Sequence, residues 1–142
     1  MGKNTSRGRM PQMSTVMDQF IAHLEFLGYD IERSENGPIK AKHQMHANFL
    51  FNIFSFGGLA RAFFGTNVQA KNQRSDLLDR VNAYNSIARV CRAYVDKDMD
   101  LVIEAFFPNL YDRITFGIFM DTFNNDIELL GYGNQKLAEY LN

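Results

Sequence analysis

The 142-residue sequence has no tryptophan, one cysteine, three prolines and almost no net charge. Each shortage excludes something. A single cysteine, Cys91, cannot close an internal disulfide, which suits a reducing compartment and predicts a cytoplasmic location. A formal net charge of -1 and a pI near 6.3 argue against a nucleic-acid binder, because covering a phosphate backbone needs a basic excess. The most apolar window, residues 49–64, is interrupted by Asn52, Gly57, Gly58 and Arg61. It falls short of the roughly 20 apolar residues that cross a bilayer, so membrane insertion is not expected. The basic head runs into Pro11 and polar residues rather than the apolar stretch of a secretory leader.

What is present describes a globular protein. Apolar residues make up 46% of the chain, including 13 phenylalanines, and charged residues only 22%, so a phenylalanine-rich core is predicted. Residues 1–13, where Lys3, Arg7 and Arg9 sit among Gly, Ser, Thr and Asn, read as a disordered tail. Residues 14–142 read as one domain.

Periodicity then places the elements. Met17, Phe20, Ile21, Leu24 and Leu27 recur at helical spacing, with Gly28 as the stop. Alternation around Ile31 predicts a strand ending at the Asn36-Gly37 turn. A polar, weakly specified return strand runs over residues 39–46. Residues 48–56 place Phe49, Phe51 and Ile53 on one face and Leu50, Phe54 and Phe56 on the other, and Gly57-Gly58 turns the chain into residues 59–64. A second helix is predicted over 75–85 with Ser75 as cap. Strands over 87–95 and 101–107 flank an acidic turn, Asp96 to Asp100. A last helix opens at Pro108-Asn109 on a stripe of Tyr111, Ile114, Ile118, Phe119, Phe123, Ile127 and Leu130. Residues 136–141 add a short turn. With strands grouped rather than alternating with helices, the class is α+β with an antiparallel sheet packed against helices.

Three segments carry a family resemblance. Val81-Asn82-Ala83-Tyr84-Asn85, Arg89-Val90-Cys91-Arg92-Ala93-Tyr94-Val95-Asp96 and Asp100-Leu101-Val102-Ile103-Glu104-Ala105 resemble the core pattern of the YbjN-like family, described as sensory transduction regulators of bacteria. Tyr111-Asp112-Arg113 and residues 116–127 are similar to its last helix, so the likeness spans about residues 14–130. It implies the fold of type III secretion chaperones, an α+β layer that commonly dimerises and binds extended segments of other proteins. It implies no catalytic residue. Met99 departs from the pattern, which has glycine in the acidic turn.

No residue set assembles a catalytic, cofactor or metal site. His43 and His46, three apart on a strand, point to opposite faces, with no further ligand to complete a tetrahedron. His23 reads as a helix-surface histidine. Cys91 reads as a small packed side chain, because a nucleophile needs a nearby base and a lowered pKa. Asp96, Asp98 and Asp100 miss the glycine of a calcium loop, where Leu101 stands. The remaining signal is surface. Both faces of the 49–64 hairpin are partly apolar and the last helix has an aromatic start, which together predict an interaction surface including Phe49, Phe51, Phe54, Phe56, Leu110 and Tyr111. The function expected is a non-enzymatic protein-binding domain, chaperone-like or a regulatory adaptor in bacterial signalling or stress response. Its partners would be a second copy of itself and a protein client or signalling partner. The alternative is a small-molecule sensor or enzyme with a pocket under the sheet, which a buried cluster of Glu104, Arg92 and a histidine would support.

Overall fold

The computed structural model describes residues 13–134 and 136–142. Along them run α1 (Met13–Phe26), β1 (Asp30–Glu32), β2 (Ile39–Lys42), β3 (Phe49–Phe54), β4 (Gly57–Phe64), α2 (Val68–Asn72), α3 (Arg74–Ile87), β5 (Arg92–Val95), β6 (Leu101–Phe107) and α4 (Arg113–Glu128). Short 3-10 turns follow at Leu129–Gly131 and Leu137–Tyr140. The strands form one antiparallel sheet in the order β1-β2-β3-β4-β6-β5, the α+β class that the grouping of strands predicts. The expected tail lies outside the described residues, apart from Met13, which opens α1.

Period-two alternation sends one set of side chains inward. Ile39, Ala41, Phe49, Phe51, Ala60, Ala62, Ala93, Ile103, Ala105 and Phe107 are all buried on the face that the helices cover. The alanines leave room for rings. Phe20 of α1 meets Phe51, Phe107 and Phe116 edge to face at 4.9–6.0 Å between ring centres. Phe123 of α4 meets Phe49 at 5.3 Å. Burying each such ring is worth about 1.5–3 kcal/mol before the edge-to-face term.

Several boundaries differ from the sequence expectation, each for a local reason. The β3–β4 turn is Ser55-Phe56, not the glycine pair. Gly57 and Gly58 lie within β4, and a side chain at Gly58 would overlap the Phe51 ring. The strand after Pro38 stops at Lys42 and is clearly two-faced, with Ile39 and Ala41 inward and Lys40 and Lys42 outward. A helix not foreseen, α2, is capped by the Asn67 side chain, which accepts from the Ala70 N–H at 2.9 Å. α4 begins after Asp112, whose carboxylate accepts from the Thr115 N–H, so Pro108 and Asn109 are not its start. Its buried stripe is Phe116, Phe119, Met120, Phe123 and Asp126, rotated from the expected one, and Ile114 and Ile118 face water.

The strand expected from residue 87 begins only at Arg92, because α3 continues to Ile87 and the chain is then held by a distant carboxylate. Asp126 of α4, 1% exposed, accepts from three successive backbone N–H groups: Arg89 at 3.0 Å to both oxygens, Val90 at 2.7 Å and Cys91 at 2.9 Å. That takes these residues off the strand ladder. In the acidic turn Met99 has φ of 65°, the left-handed region that glycine favours, so the turn takes a glycine-like conformation without glycine.

Candidate functional site

The six residues expected at a surface do not lie together. Phe49 and Phe51 are corrected to the core: they are 3% and 1% exposed, because α1 and α4 cover their face of the sheet. Phe54 and Phe56 stand at the turn end of the β3–β4 hairpin, stacked at 5.9 Å, with Phe56 65% exposed. Leu110 is half-buried in the loop before α4. Tyr111 packs beside α1, its ring 5.3 Å from Phe20.

The opposite face of the sheet carries no layer of described residues. Register puts its outward side chains in rows across the strands. One row runs Glu32, Lys40, Leu50, Arg61, Glu104 and Arg92. On one side of it lie Asn52, Leu59 and Phe106, and on the other Phe63, Val102 and Tyr94. Phe106 extends the hairpin aromatics, 6.0 Å from Phe56. The face is therefore a charged band between two apolar ones.

Glu104 organises that band. It is 3% exposed even on this open face. Its carboxylate accepts from Arg61 Nε at 3.0 Å and Arg92 Nε at 2.6 Å, is paired with Arg92 Nη2, and lies 3.4 Å from the Tyr94 hydroxyl. Burial pushes its pKa up, but the hydrogen bonds and charges of Arg92 and Arg61 outweigh this and hold it below the usual glutamate range. No histidine joins the cluster. His23 packs on Tyr111 and Phe116, while His43 and His46 pack on Tyr29 and on each other.

The helix side has a different opening, a groove of about 570 Å³ between α1 and the start of α4. Ala22, Phe26 and Ile114 form its walls, and His23, Tyr111 and Arg113 supply polar groups. His23 Nδ1 and the Tyr111 hydroxyl share a hydrogen bond of 2.9 Å. Burial first, then the Arg113 charge, lowers the His23 pKa.

The other candidates are tied into the fold. Nε2 of His43 is 3.1 Å from the Leu27 carbonyl, and its Nδ1 accepts from the Met45 N–H. Asp96 accepts from the N–H groups of Asp98 and Asp100, which closes its turn. Cys91 is buried, and desolvation, then the neighbouring Asp126 charge, pushes its thiol far up. Both sheet edges are blunt. β1 is three residues long and flanked by the Arg33–Asp18 ion pair. On the outer edge of β5 the Asn85 amide bonds both backbone groups of Ala93, at 2.7 and 3.0 Å.

The Glu104 cluster escaped sequence reasoning only in part: a lone acid within the apolar run Leu101–Phe107 was visible, but its pairing with Arg61 was not. Asp126 was missed altogether, although an acid at stripe spacing between Phe123 and Leu130 was the available signal. Among the described residues, no helix is long and apolar enough to cross a membrane.

No family model matches the chain, and no curated protein matches it. Solved structures do. The chain is similar to YbjN from E. coli, with a TM-score of 0.67 and 14% identity over 89% of this chain and 95% of that one. It is also similar to a chain of the heterodimeric ExoU–SpcU complex from the type III secretion system of Pseudomonas aeruginosa, with a TM-score of 0.49 and 16% identity over 73% and 88%. The chain therefore has the YbjN-like α+β fold.

Proposed function

We propose that this chain is a non-enzymatic protein-binding module, chaperone-like or a regulatory adaptor in bacterial signalling or stress response, and that it works in the cytoplasm. The observation that carries the reading is the sheet face left without a helical layer. Leu50, Leu59, Phe63, Tyr94 and Phe106, with Phe54 and Phe56, form apolar ground of the kind that marks interfaces. The blunt edges of β1 and β5 direct recognition to the face rather than to strand addition. A second copy binds elsewhere in this reading, on the helix side, where Phe26, Ile114 and Ile118 are exposed.

The test compares the full chain with a Leu59→Glu, Phe106→Ser variant and a Phe26→Ser, Ile118→Ser variant. The sheet-face changes are expected to abolish capture of specific partner polypeptides and leave the oligomeric state alone. The helix-side changes are expected to lower the sedimentation-derived mass without touching capture. Retention of every partner by the sheet-face variant would refute the assignment. The sensor or enzyme alternative has the α1–α4 groove in its favour, where Gln19, His23, Tyr111 and Arg113 are the polar groups. That set holds no carboxylate, thiol or serine hydroxyl, and its one acid–base pair, His23 and Tyr111, is spent on a mutual hydrogen bond.

A further inference from the structure

The charged band of the open face is one-sided in hydrogen-bonding terms. The Glu104 carboxylate is buried and engaged at both oxygens, so it offers an incoming molecule no acceptor. Arg61 spends only Nε on it, which leaves both terminal nitrogens, and Arg92 keeps Nη1. Lys40 makes no ion pair among the described residues. Two guanidinium groups flank one neutralised carboxylate, so the Arg61–Glu104–Arg92 end of the band presents donors and a net positive charge, while Glu32 at the far end is paired with Lys42. Whatever covers it must bring acceptors, and carboxylates satisfy guanidinium donors best.

The same inventory excludes two occupants. A second copy laid face to face with its Arg61–Glu104–Arg92 end over the same end would set donors against donors and cation against cation. An added strand has no edge to join, since Asn85 fills that of β5 and β1 is short and charged. A segment lying on the face itself receives no ladder bonds from the sheet, so it must satisfy its own backbone, and a helix does so. Spacing agrees. Phe106, Glu104 and Val102 are alternate residues of β6, about 6.7 Å apart along the strand, and one i to i+4 step of a helix rises about 6 Å.

We infer that the open sheet face takes an amphipathic helix of a partner protein whose apolar stripe is interrupted by one aspartate or glutamate, with an apolar side chain about one turn to either side. The acid sits between Arg61 and Arg92, and the apolar neighbours lie on Phe106 with Leu59 and on Phe63 with Tyr94. This inference rests on the face reading proposed above.

A library of displayed 18-residue helical peptides is selected on the immobilised full chain, and the binders are measured by fluorescence anisotropy. The expected winners carry the acid at mid-stripe and lose affinity about 10-fold or more when it becomes Gln. They lose a similar factor against an Arg61→Gln, Glu104→Gln, Arg92→Gln variant, which removes the three charges together and leaves no buried charge unpaired. Binding also weakens between low and high salt. Binders that need Leu59 and Phe106 but carry no acid, or that bind the triple variant equally well, overturn the inference and leave the face reading standing. Binders indifferent to Leu59→Glu overturn the face reading as well.

Discussion

Replacing Asp126 with asparagine puts the junction of α3, β5 and α4 to a quantitative test. The native carboxylate holds three backbone N–H groups in a row, and no cation lies on it among the described ion pairs. Asparagine keeps one acceptor, which can remain on Val90 and Cys91, and turns an NH2 group toward the Arg89 N–H, donor against donor. Hydrogen bonds to a charged group contribute about 1.5–3 kcal/mol each and neutral ones about 0.5–1.5. Weakening two of them by about 1–1.5 kcal/mol each and losing the third comes to about 3.5–6 kcal/mol. The Tyr84 hydroxyl, which donates to the Asp126 carbonyl at 2.7 Å, is untouched, so the loss belongs to the side chain. Urea unfolding followed by circular dichroism at neutral pH would show the midpoint falling by about 2–3 M at an unchanged slope of ~2 kcal/mol/M. Asp121→Asn, exposed on the same helix, serves as the control and should stay within about 0.5 kcal/mol. A loss below about 0.5 kcal/mol for Asp126→Asn would mean that the N–H groups find water instead, and the account of the junction would fail.

Two further outcomes follow from the sheet. Gly58→Ala drives a methyl group into the Phe51 ring, which Phe20, Phe49 and Phe116 back from other sides, so the ring cannot yield. Overpacking of this kind costs about 1–3 kcal/mol, read as a melting temperature lower by roughly 4–10 °C, whereas Gly131→Ala, with open space around it, should be near neutral. For Glu104, the folded pKa lies below the unfolded one, so its stabilisation is complete above the ordinary glutamate value of ~4.3 and is lost as pH falls from there through the folded value. The gap in urea midpoint between the parent chain and Glu104→Gln should therefore be widest at neutral pH and close on acidification. An unchanged gap at pH ~3 would show that Glu104 gains nothing from Arg61 and Arg92.

How far the sequence could be read depends on the range of the interactions concerned. α1 was legible because Phe20, Ile21 and Leu24 form a local stripe and Gly28, at φ of 96°, ends it. The two faces of β3 were legible from alternation, but which face is the core depends on where α1 and α4 dock, and so Phe49 and Phe51 were placed on a surface. The end of α3 and the start of β5 were misplaced because the deciding group, Asp126, is 35–37 positions away along the chain. For the same reason the charged band could not be read directly. Arg61 reaches Glu104 across 43 positions through strand register, which no short window of sequence contains.

The Asn85 amide hides the outer edge of β5 by imitating a neighbouring strand, and it does so from the last turns of α3. Concealment of that edge is thus conditional on a helix terminus, the part of a helix that opens most readily. Each fraying event there uncovers a short hydrogen-bonding template while the rest of the molecule is still native. Misassembly of this protein would then begin from a nearly folded state, at a rate set by the breathing of one helix end rather than by global unfolding.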